Sequence, residues 1–305
     1  LNGEHGINLP SNGAYVKQST TLVIPYIIDG KDERDTIQTL KFFNKKYFQD
    51  AINKFCGASK INNLLNLYHT SSPDITTVDF NNYKNLTSAL KAFYDNREIT
   101  TVNMPDTYNL ENGNNMFYDC AELTTFTIPS LQKLKDGSYM FYDCRKLLFD
   151  TIPVTEGFPE LTNAYMMFQN CKKLTTIDLK NTSKLVNANY MLNGCSRLTE
   201  IKNLNHCTAL EEIDYAFFGT HITSIDLSGL SALRLMQYAF TNCTNLTTVT
   251  GLNDLANCTS IYAAFKGCTA LTTLNSGQEV LLPKVTNAND AFNGCTALRQ
   301  IKLNL

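Results

Sequence analysis

The sequence of 305 residues contains no tryptophan and has no excess of either charge, with 26 basic and 28 acidic residues. Balanced charge argues against a nucleic-acid-binding protein, which needs a basic face, and against a polybasic membrane patch. No apolar run approaches the roughly 20 residues of a membrane-spanning helix, and the longest candidate, at 22–28, is far shorter. What remains is a chain with 43% apolar residues, enough for a buried core.

Recognisable catalytic and metal-binding motifs are also missing. The four histidines stand outside any G-x-S-x-G, H-E-x-x-H or P-loop pattern, and no C-x-x-C occurs among the ten cysteines. We therefore expect no enzyme activity, no cofactor and no metal. An enzymatic site on the N-terminal segment is the remaining alternative of that kind.

One phrase recurs along the chain at intervals of 23 to 27 residues: "MFYDCAELTTFTIP" at 116–129 returns as "MFYDCRKLLFDTIP" at 140–153. We take the aromatic residue of each "MF" or "AF" pair as position zero. Nine repeats are then centred on Phe93, Phe117, Phe141, Phe168, Leu192, Phe217, Phe240, Phe265 and Phe292. A period in the twenties predicts a solenoid of short, strand-bearing coils stacked on one another.

The repeats share the pattern L-x-x-A-x-x-(A/M)-F-x-x-C-x-x-L-x-x-I-x-L. Apolar spacing by threes fits neither an amphipathic helix nor a plain strand. It predicts a coil that turns inward repeatedly, with strands only in segments such as "LTTIDL" at 174–179, because Thr, Ile and Val favour pleated surfaces. A degenerate copy lies upstream, where "DITTVDF" at 74–80 matches "EITTVNM" at 98–104.

Three of these phrases, "YMFYDCRKL", "YMMFQNCKKLTTIDL" and "AFTNCTNLTTVTGL", resemble the BspA-like leucine-rich repeats of bacterial surface proteins. The resemblance covers residues 62–305. It implies a leucine-rich-repeat solenoid of about ten repeats, a right-handed coil of α/β type with mostly short parallel strands. It also implies a cell-surface or secreted protein, and since the chain begins with Leu1 we expect its leader to be absent from this sequence. The longer units predict loops at 154–159 and 276–283.

Residues 1–61 do not follow the repeat and are expected to form an N-terminal extension. Segment 35–55 predicts an amphipathic helix, because apolar residues recur every three or four positions. Asp35 can cap its start, and Gly57 suits its end. Since an open solenoid end exposes apolar core, we expect this helix to cover the N-terminal end.

Seven cysteines fall three residues after position zero: Cys120, Cys144, Cys171, Cys195, Cys243, Cys268 and Cys295. Equivalent side chains of stacked coils stand about 4.8 Å apart with parallel Cβ vectors. A relaxed disulfide needs Cβ atoms nearer 3.8 Å and a twisted dihedral. We therefore expect a ladder of reduced, buried thiols. Cys258 stands at the repeat position that is leucine in most coils, so we expect it to be part of the core as well. Cys56 and Cys207 lie outside the repeat position that the seven cysteines share.

Two stripes of tyrosine are the candidate binding residues. The first follows position zero, where each tyrosine is followed by an aspartate: Tyr94, Asp95, Tyr118, Asp119, Tyr142 and Asp143. The second lies two before position zero: Tyr139, Tyr190, Tyr215 and Tyr238. Both slots hold polar residues in other repeats, so we expect them to be exposed. A tyrosine offers a flat apolar face and a polar tip for protein or carbohydrate. The alternative is plain ladder packing of like side chains.

The resemblance and the missing catalytic motifs together predict a non-catalytic binding or adhesion module. Its partner would be an unknown protein or carbohydrate on a host or neighbouring cell. The alternative is a passive structural spacer within a larger bacterial envelope protein, in which the tyrosines only pack against neighbouring coils.

Overall fold

The computed structural model describes residues 27–28, 31–32, 77–79, 83–105, 107–149 and 156–304. The helix predicted for 35–55, and the capping role proposed for it, lie outside these residues, as does Cys56. Among the described residues no helix has the length and apolarity that crossing a membrane requires.

The described repeats form a parallel β-solenoid of about eight turns. A column of isolated parallel bridges runs along its whole length and links residues that lie five before position zero in each coil. The bridged residues are Ser88, Asn112, Asp136, Asn163, Asn187, Glu212, Leu235, Ser260 and Asn287. Because the column keeps this offset through the longer and shorter units alike, the predicted solenoid and its register are confirmed.

The described residues contain twelve short strands. They are β1 (Ile27–Ile28), β2 (Lys31–Asp32), β3 (Thr77–Asp79), β4 (Thr101–Asn103), β5 (Thr125–Thr127), β6 (Thr176–Asp178), β7 (Glu200–Lys202), β8 (Ser224–Asp226), β9 (Thr248–Thr250), β10 (Thr273–Leu274), β11 (Val280–Leu281) and β12 (Leu303–Asn304). Five of them, β3, β4, β5, β6 and β9, have the form Thr-apolar-polar, and in β4, β5 and β6 the middle side chain is the buried one.

Strands from successive coils pair in parallel. Neighbouring strands are β3–β4–β5, β6–β7, β8–β9–β10 and β11–β12, whereas β1 and β2 form an antiparallel pair. Thr77 aligns with Thr101, so the degenerate upstream copy stacks in the register that its sequence predicts. Within the predicted loop at 276–283, Val280–Leu281 is instead a strand that pairs with β12, and a 3₁₀ turn precedes it at Asn275–Gly277.

The predicted α/β type of coil is wrong, because the described residues contain no α-helix. Residues two before and two after position zero have positive φ, between 51° and 82°, in all nine coils. Two left-handed residues four positions apart in each coil interrupt helical geometry there. The chain turns tightly instead, and its N–H groups bond to the next coil, as where Phe93 donates to the carbonyl of Met116 at 2.8 Å.

The core is a single cluster that runs along the inside of the coils. The phenylalanines at position zero form its centre, with ring centroids of successive coils 5.0 to 5.7 Å apart and planes within 17° of parallel. Leu192 takes the place of a ring in one coil and is equally buried. Each coil thus buries its apolar edge only against its neighbours, as expected for a solenoid.

Candidate functional site

The first tyrosine stripe forms a tight stack on the surface of the N-terminal coils. The ring of Tyr118 lies 4.7 Å from that of Tyr94 and 4.5 Å from that of Tyr142, with interplanar angles of 7° and 4°. All three side chains are half-buried. Lys91 Nζ lies over the Tyr94 ring at 5.6 Å from its centroid. Stacking therefore covers the ring faces inside this group.

A junction of edge-on rings continues the stack into the next coils. Tyr139 contacts both Tyr118 and Tyr142, at centroid distances of 5.9 and 6.0 Å. Its other neighbour is Tyr165, at 5.2 Å and 68°, and Tyr165 meets Tyr190 at 6.1 Å and 68°. The two stripes that the sequence presents as separate are thus joined by Tyr139 and Tyr165.

The second stripe forms another tight stack. Tyr215 lies 4.7 Å from Tyr190 and 4.4 Å from Tyr238, with planes 5° and 16° from parallel. Tyr262 closes the series, edge-on to Tyr238 at 5.1 Å. We call the whole series the tyrosine ribbon: Tyr94, Tyr118, Tyr142, Tyr139, Tyr165, Tyr190, Tyr215, Tyr238 and Tyr262.

Sequence reasoning missed two members of the ribbon, Tyr165 and Tyr262. Both lie three, not two, before position zero. In those two coils the residue two before position zero is Met166 or Ala263, so the tyrosine is displaced by one position. The sequence therefore contains a tyrosine in both coils, displaced by one position. Only the fold shows that a tyrosine at either of these adjacent positions joins the same series of rings.

Burial and mutual contact raise the pKa of several ribbon phenols. Burial, followed by the neighbouring Tyr142 and Tyr94, raises the pKa of Tyr118 to about 12. Burial also raises the pKa of Tyr139 and of Tyr215, and a hydrogen bond with Tyr238 raises the pKa of Tyr262. Each of these hydroxyl groups therefore remains a hydrogen-bond donor under physiological conditions.

The aspartates of the Tyr-Asp pairs are held in local structure. Asp95, Asp119 and Asp143 have φ values of 55°, 54° and 60°. The same position is Asn or Gly in the other six coils, and Asp, Asn and Gly are the residues that best tolerate left-handed backbone. Arg97 pairs with Asp119 and, at 3.0 Å, with Asp95, and Arg145 Nε donates to Asp143 at 2.9 Å.

The position two before zero shows the opposite behaviour. Its backbone is equally left-handed, yet four of the nine coils place tyrosine there: Tyr139, Tyr190, Tyr215 and Tyr238, with φ from 55° to 58°. Only Asn115 and Asp290 are residues that suit this conformation. A left-handed conformation costs a bulky residue roughly 1–2 kcal/mol. Backbone preference therefore does not account for these tyrosines.

The seven cysteines three residues after position zero make equivalent contacts inside their coils. Each thiol points at the position-zero carbonyl of the preceding coil, at 3.0 to 3.2 Å, as for Cys120 and Phe93. Two coils lack this cysteine, and in one of them Thr220 Oγ1 lies 3.3 Å from Cys243 Sγ. All nine described cysteines are buried and free of disulfides, including Cys207 and Cys258. Burial raises the pKa of Cys195 to about 12.

Nothing in the described part of the chain gathers three or more histidine, cysteine or acidic side chains into a group suited to a metal ion. What the tyrosine ribbon can do chemically is bind: it offers ring edges, a few edge-on ring faces and hydroxyl groups.

Comparison with known proteins places these repeats in a family. Residues 36–148, 113–230 and 163–299 match the model described as BspA type Leucine rich repeat region, with six copies. No curated protein matches the chain significantly. Among solved structures, the chain is similar to a leucine rich cell surface protein from Faecalibacterium prausnitzii, at 20% identity and a TM-score of 0.36 over 77% of this chain and 85% of that one.

Two further solved structures are similar at the same level. A leucine-rich repeat protein from Bacteroides ovatus shares 20% identity, with a TM-score of 0.32 over 78% of this chain and 73% of that one. The leucine rich repeat protein of T. pallidum shares 16% identity, with a TM-score of 0.30 over 74% and 78% of the two chains.

Proposed function

This chain belongs to the BspA-type leucine-rich repeat family, and we propose that it is a non-catalytic recognition module that binds a protein partner through the tyrosine ribbon. The module acts at the bacterial cell surface or after secretion, and its partner lies on a host or neighbouring cell. A rigid solenoid presents the ribbon already ordered, which lowers the entropy that binding must overcome.

The observation that carries the proposal is the contrast between the two left-handed positions of the coil. Two after position zero, all nine coils carry Asp, Asn or Gly, as the backbone favours. Two before it, Tyr139, Tyr190, Tyr215 and Tyr238 occupy the same backbone region at a cost of roughly 1 kcal/mol or more each. Backbone preference does not explain tyrosine at these sites, and partner recognition is a requirement that would explain it.

The ring orientation favours a protein over a carbohydrate. A sugar packs on an exposed aromatic face, but rings only 4.4 to 4.7 Å apart leave no room for one between them. The inner rings, such as Tyr118 and Tyr215, present edges and hydroxyl groups. A partner protein can meet these with aromatic rings, apolar side chains and carbonyl groups, and tyrosine is enriched at the energetic centres of protein interfaces.

A passive spacer is the second candidate, and the stacking itself favours it. Stacked rings contribute roughly 0.5–1.5 kcal/mol per pair, which can offset the backbone cost of Tyr215 between its two neighbours. On this hypothesis the ribbon only holds successive coils together, and its replacement lowers stability without affecting any binding.

Replacement of the ribbon tyrosines by asparagine separates the two hypotheses. Asparagine already occupies both positions in other coils, as at Asn115 and Asn193, so the backbone accepts it. One variant carries Tyr94→Asn, Tyr118→Asn and Tyr142→Asn, and a second carries Tyr190→Asn, Tyr215→Asn and Tyr238→Asn. The matched control is Tyr108→Asn, which removes a tyrosine that is 53% exposed and lies off the ribbon.

The wild-type solenoid and these variants are applied to an array of purified extracellular proteins and glycans. We expect at least one protein to bind the wild type, at least a tenfold weaker affinity for each triple variant, and no change for the control, since interface centres lose 2 kcal/mol or more on truncation. Unchanged protein binding by folded triple variants contradicts the proposal. Ribbon-dependent binding of glycans alone contradicts the choice of a protein partner.

A further inference from the structure

The shape of the tyrosine ribbon limits what can lie along it. The ribbon is narrow, with two rings side by side only in the coil of Tyr139 and Tyr142. It reaches from Tyr94 to Tyr262, seven coils apart, or about 34 Å at the usual spacing of stacked strands. It also changes its position on the coil at Tyr139 and Tyr165. A β-sheet of a partner protein, whose side chains form straight columns, cannot stay in contact with a ribbon that shifts sideways in this way. A single extended chain can.

The spacing of the rings selects among extended chains. Each stack advances by two steps of 4.4 to 4.7 Å, so alternate rings are about 9 Å apart. Polyproline II helix has three residues per turn and rises 3.1 Å per residue, which gives a turn of about 9.3 Å. Same-face side chains of a β-strand repeat at about 6.8 Å, and an α-helix turns in 5.4 Å. Of these three repeats, that of polyproline II comes nearest to the spacing of alternate rings within each stack.

Hydrogen bonding points to the same ligand. Polyproline II has no internal hydrogen bonds, so its carbonyl groups remain available, and proline has no N–H to satisfy. Tyr139 and Tyr262 already donate their hydroxyl groups to Tyr165 and Tyr238, whereas other ribbon hydroxyl groups, such as that of Tyr118, can donate to those carbonyls. Ring edges and the edge-on faces of Tyr139 and Tyr165 offer apolar surface to pyrrolidine rings, as in other aromatic sites that recognise proline-rich segments.

We propose that the tyrosine ribbon binds a proline-rich segment in the polyproline II conformation, laid along the solenoid axis. This inference rests on the proposed function and names the partner's chemistry. A segment of roughly 11 residues spans the ribbon at 3.1 Å per residue. Its preformed conformation loses little entropy on binding, so a narrow contact line suffices.

The test uses synthetic peptides and the fluorescence of the protein itself. Because the chain contains no tryptophan, its emission comes from tyrosine, and nine of its 15 tyrosines lie in the ribbon. A proline 12-mer is titrated into the wild-type protein, with a Gly-Ser 12-mer and a proline 6-mer as comparison peptides. Calorimetry gives the affinity and stoichiometry independently.

We expect saturable binding of the proline 12-mer, at least tenfold weaker binding of the 6-mer, and none of the Gly-Ser peptide. The variant with Tyr190, Tyr215 and Tyr238 replaced by asparagine should bind the 12-mer at least tenfold more weakly, whereas Tyr108→Asn should not differ from wild type. Equal binding of the proline and Gly-Ser 12-mers, or undiminished binding by the ribbon variant, overturns the inference.

A competition experiment with the proline 12-mer distinguishes failure of the polyproline inference from failure of the proposed function. A protein whose binding depends on the ribbon, but which the proline 12-mer does not displace, contradicts the polyproline inference and leaves the proposed function intact. Displacement of that protein by the 12-mer supports both.

Discussion

Removal of one phenylalanine ring from the core stack tests whether the molecule has one continuous interior. Phe240 is fully buried, and its ring stacks on Phe217 at 5.0 Å and on Phe265 at 5.3 Å. Truncation of a buried phenylalanine to alanine typically costs 3–5 kcal/mol, because transfer energy is lost and a cavity remains. Since two neighbouring coils lose their contact at once, we expect Phe240→Ala to cost about 4 kcal/mol.

The chain provides its own control for this substitution. Leu192 occupies the same position in another coil and is fully buried there, so Phe240→Leu keeps most of the apolar volume. It forfeits chiefly the ring stacking and should cost roughly 1–2 kcal/mol. Phe218→Ala, one residue after position zero and only half-buried, should cost less than either of the core changes.

Urea unfolding followed by circular dichroism measures these differences. With a slope of roughly 3 kcal/mol per molar urea, the alanine variant should unfold about 1 M earlier than wild type. The leucine variant should lie between the two. An alanine variant no less stable than the leucine variant refutes the continuous ring stack, and a changed slope indicates that coils on the two sides of the cavity unfold separately.

Two further predictions concern close packing and the thiols. Gly251 has a φ of 77°, and a Cβ there would lie 2.0 Å from the Ser228 nitrogen, whereas one at Gly219, at φ 68°, meets nothing within 4 Å. We therefore expect Gly251→Ala to lower the free energy of unfolding by about 1–3 kcal/mol more than Gly219→Ala, and equal urea midpoints would contradict this close approach of the coils. A Cys56→Ser variant retains nine thiols, all buried and free. With a pKa of about 12, Cys195 is thiolate at pH 8 to about one part in 10⁴, against roughly a quarter for an exposed thiol. Ellman titration should detect almost no native reaction and nine thiols in denaturant, and fewer than nine would indicate disulfides.

The column arrangement of the molecule was predictable because a solenoid is nearly one-dimensional. Residues one period apart must stack, so the series from Phe93 to Phe292 predicts which side chains share a column, and the bridges from Ser88 to Asn287 confirm it. Even the degenerate copy at Thr77 pairs where its spacing requires. Periodicity alone carries this information, whatever path the backbone takes within one coil.

The path within the coil is what the tertiary structure decided. Spacing does not reveal the sign of φ, so the left-handed residues on both sides of position zero, and with them the absence of α-helix from the described coils, emerged only from the fold. The same turns bring positions three before, two before and one after zero onto a single line. The two stripes, together with the overlooked Tyr165 and Tyr262, thereby become one ribbon. The reason is that the turn of the backbone within the coil decides which of these positions come into contact, and the sequence pattern does not reveal that turn.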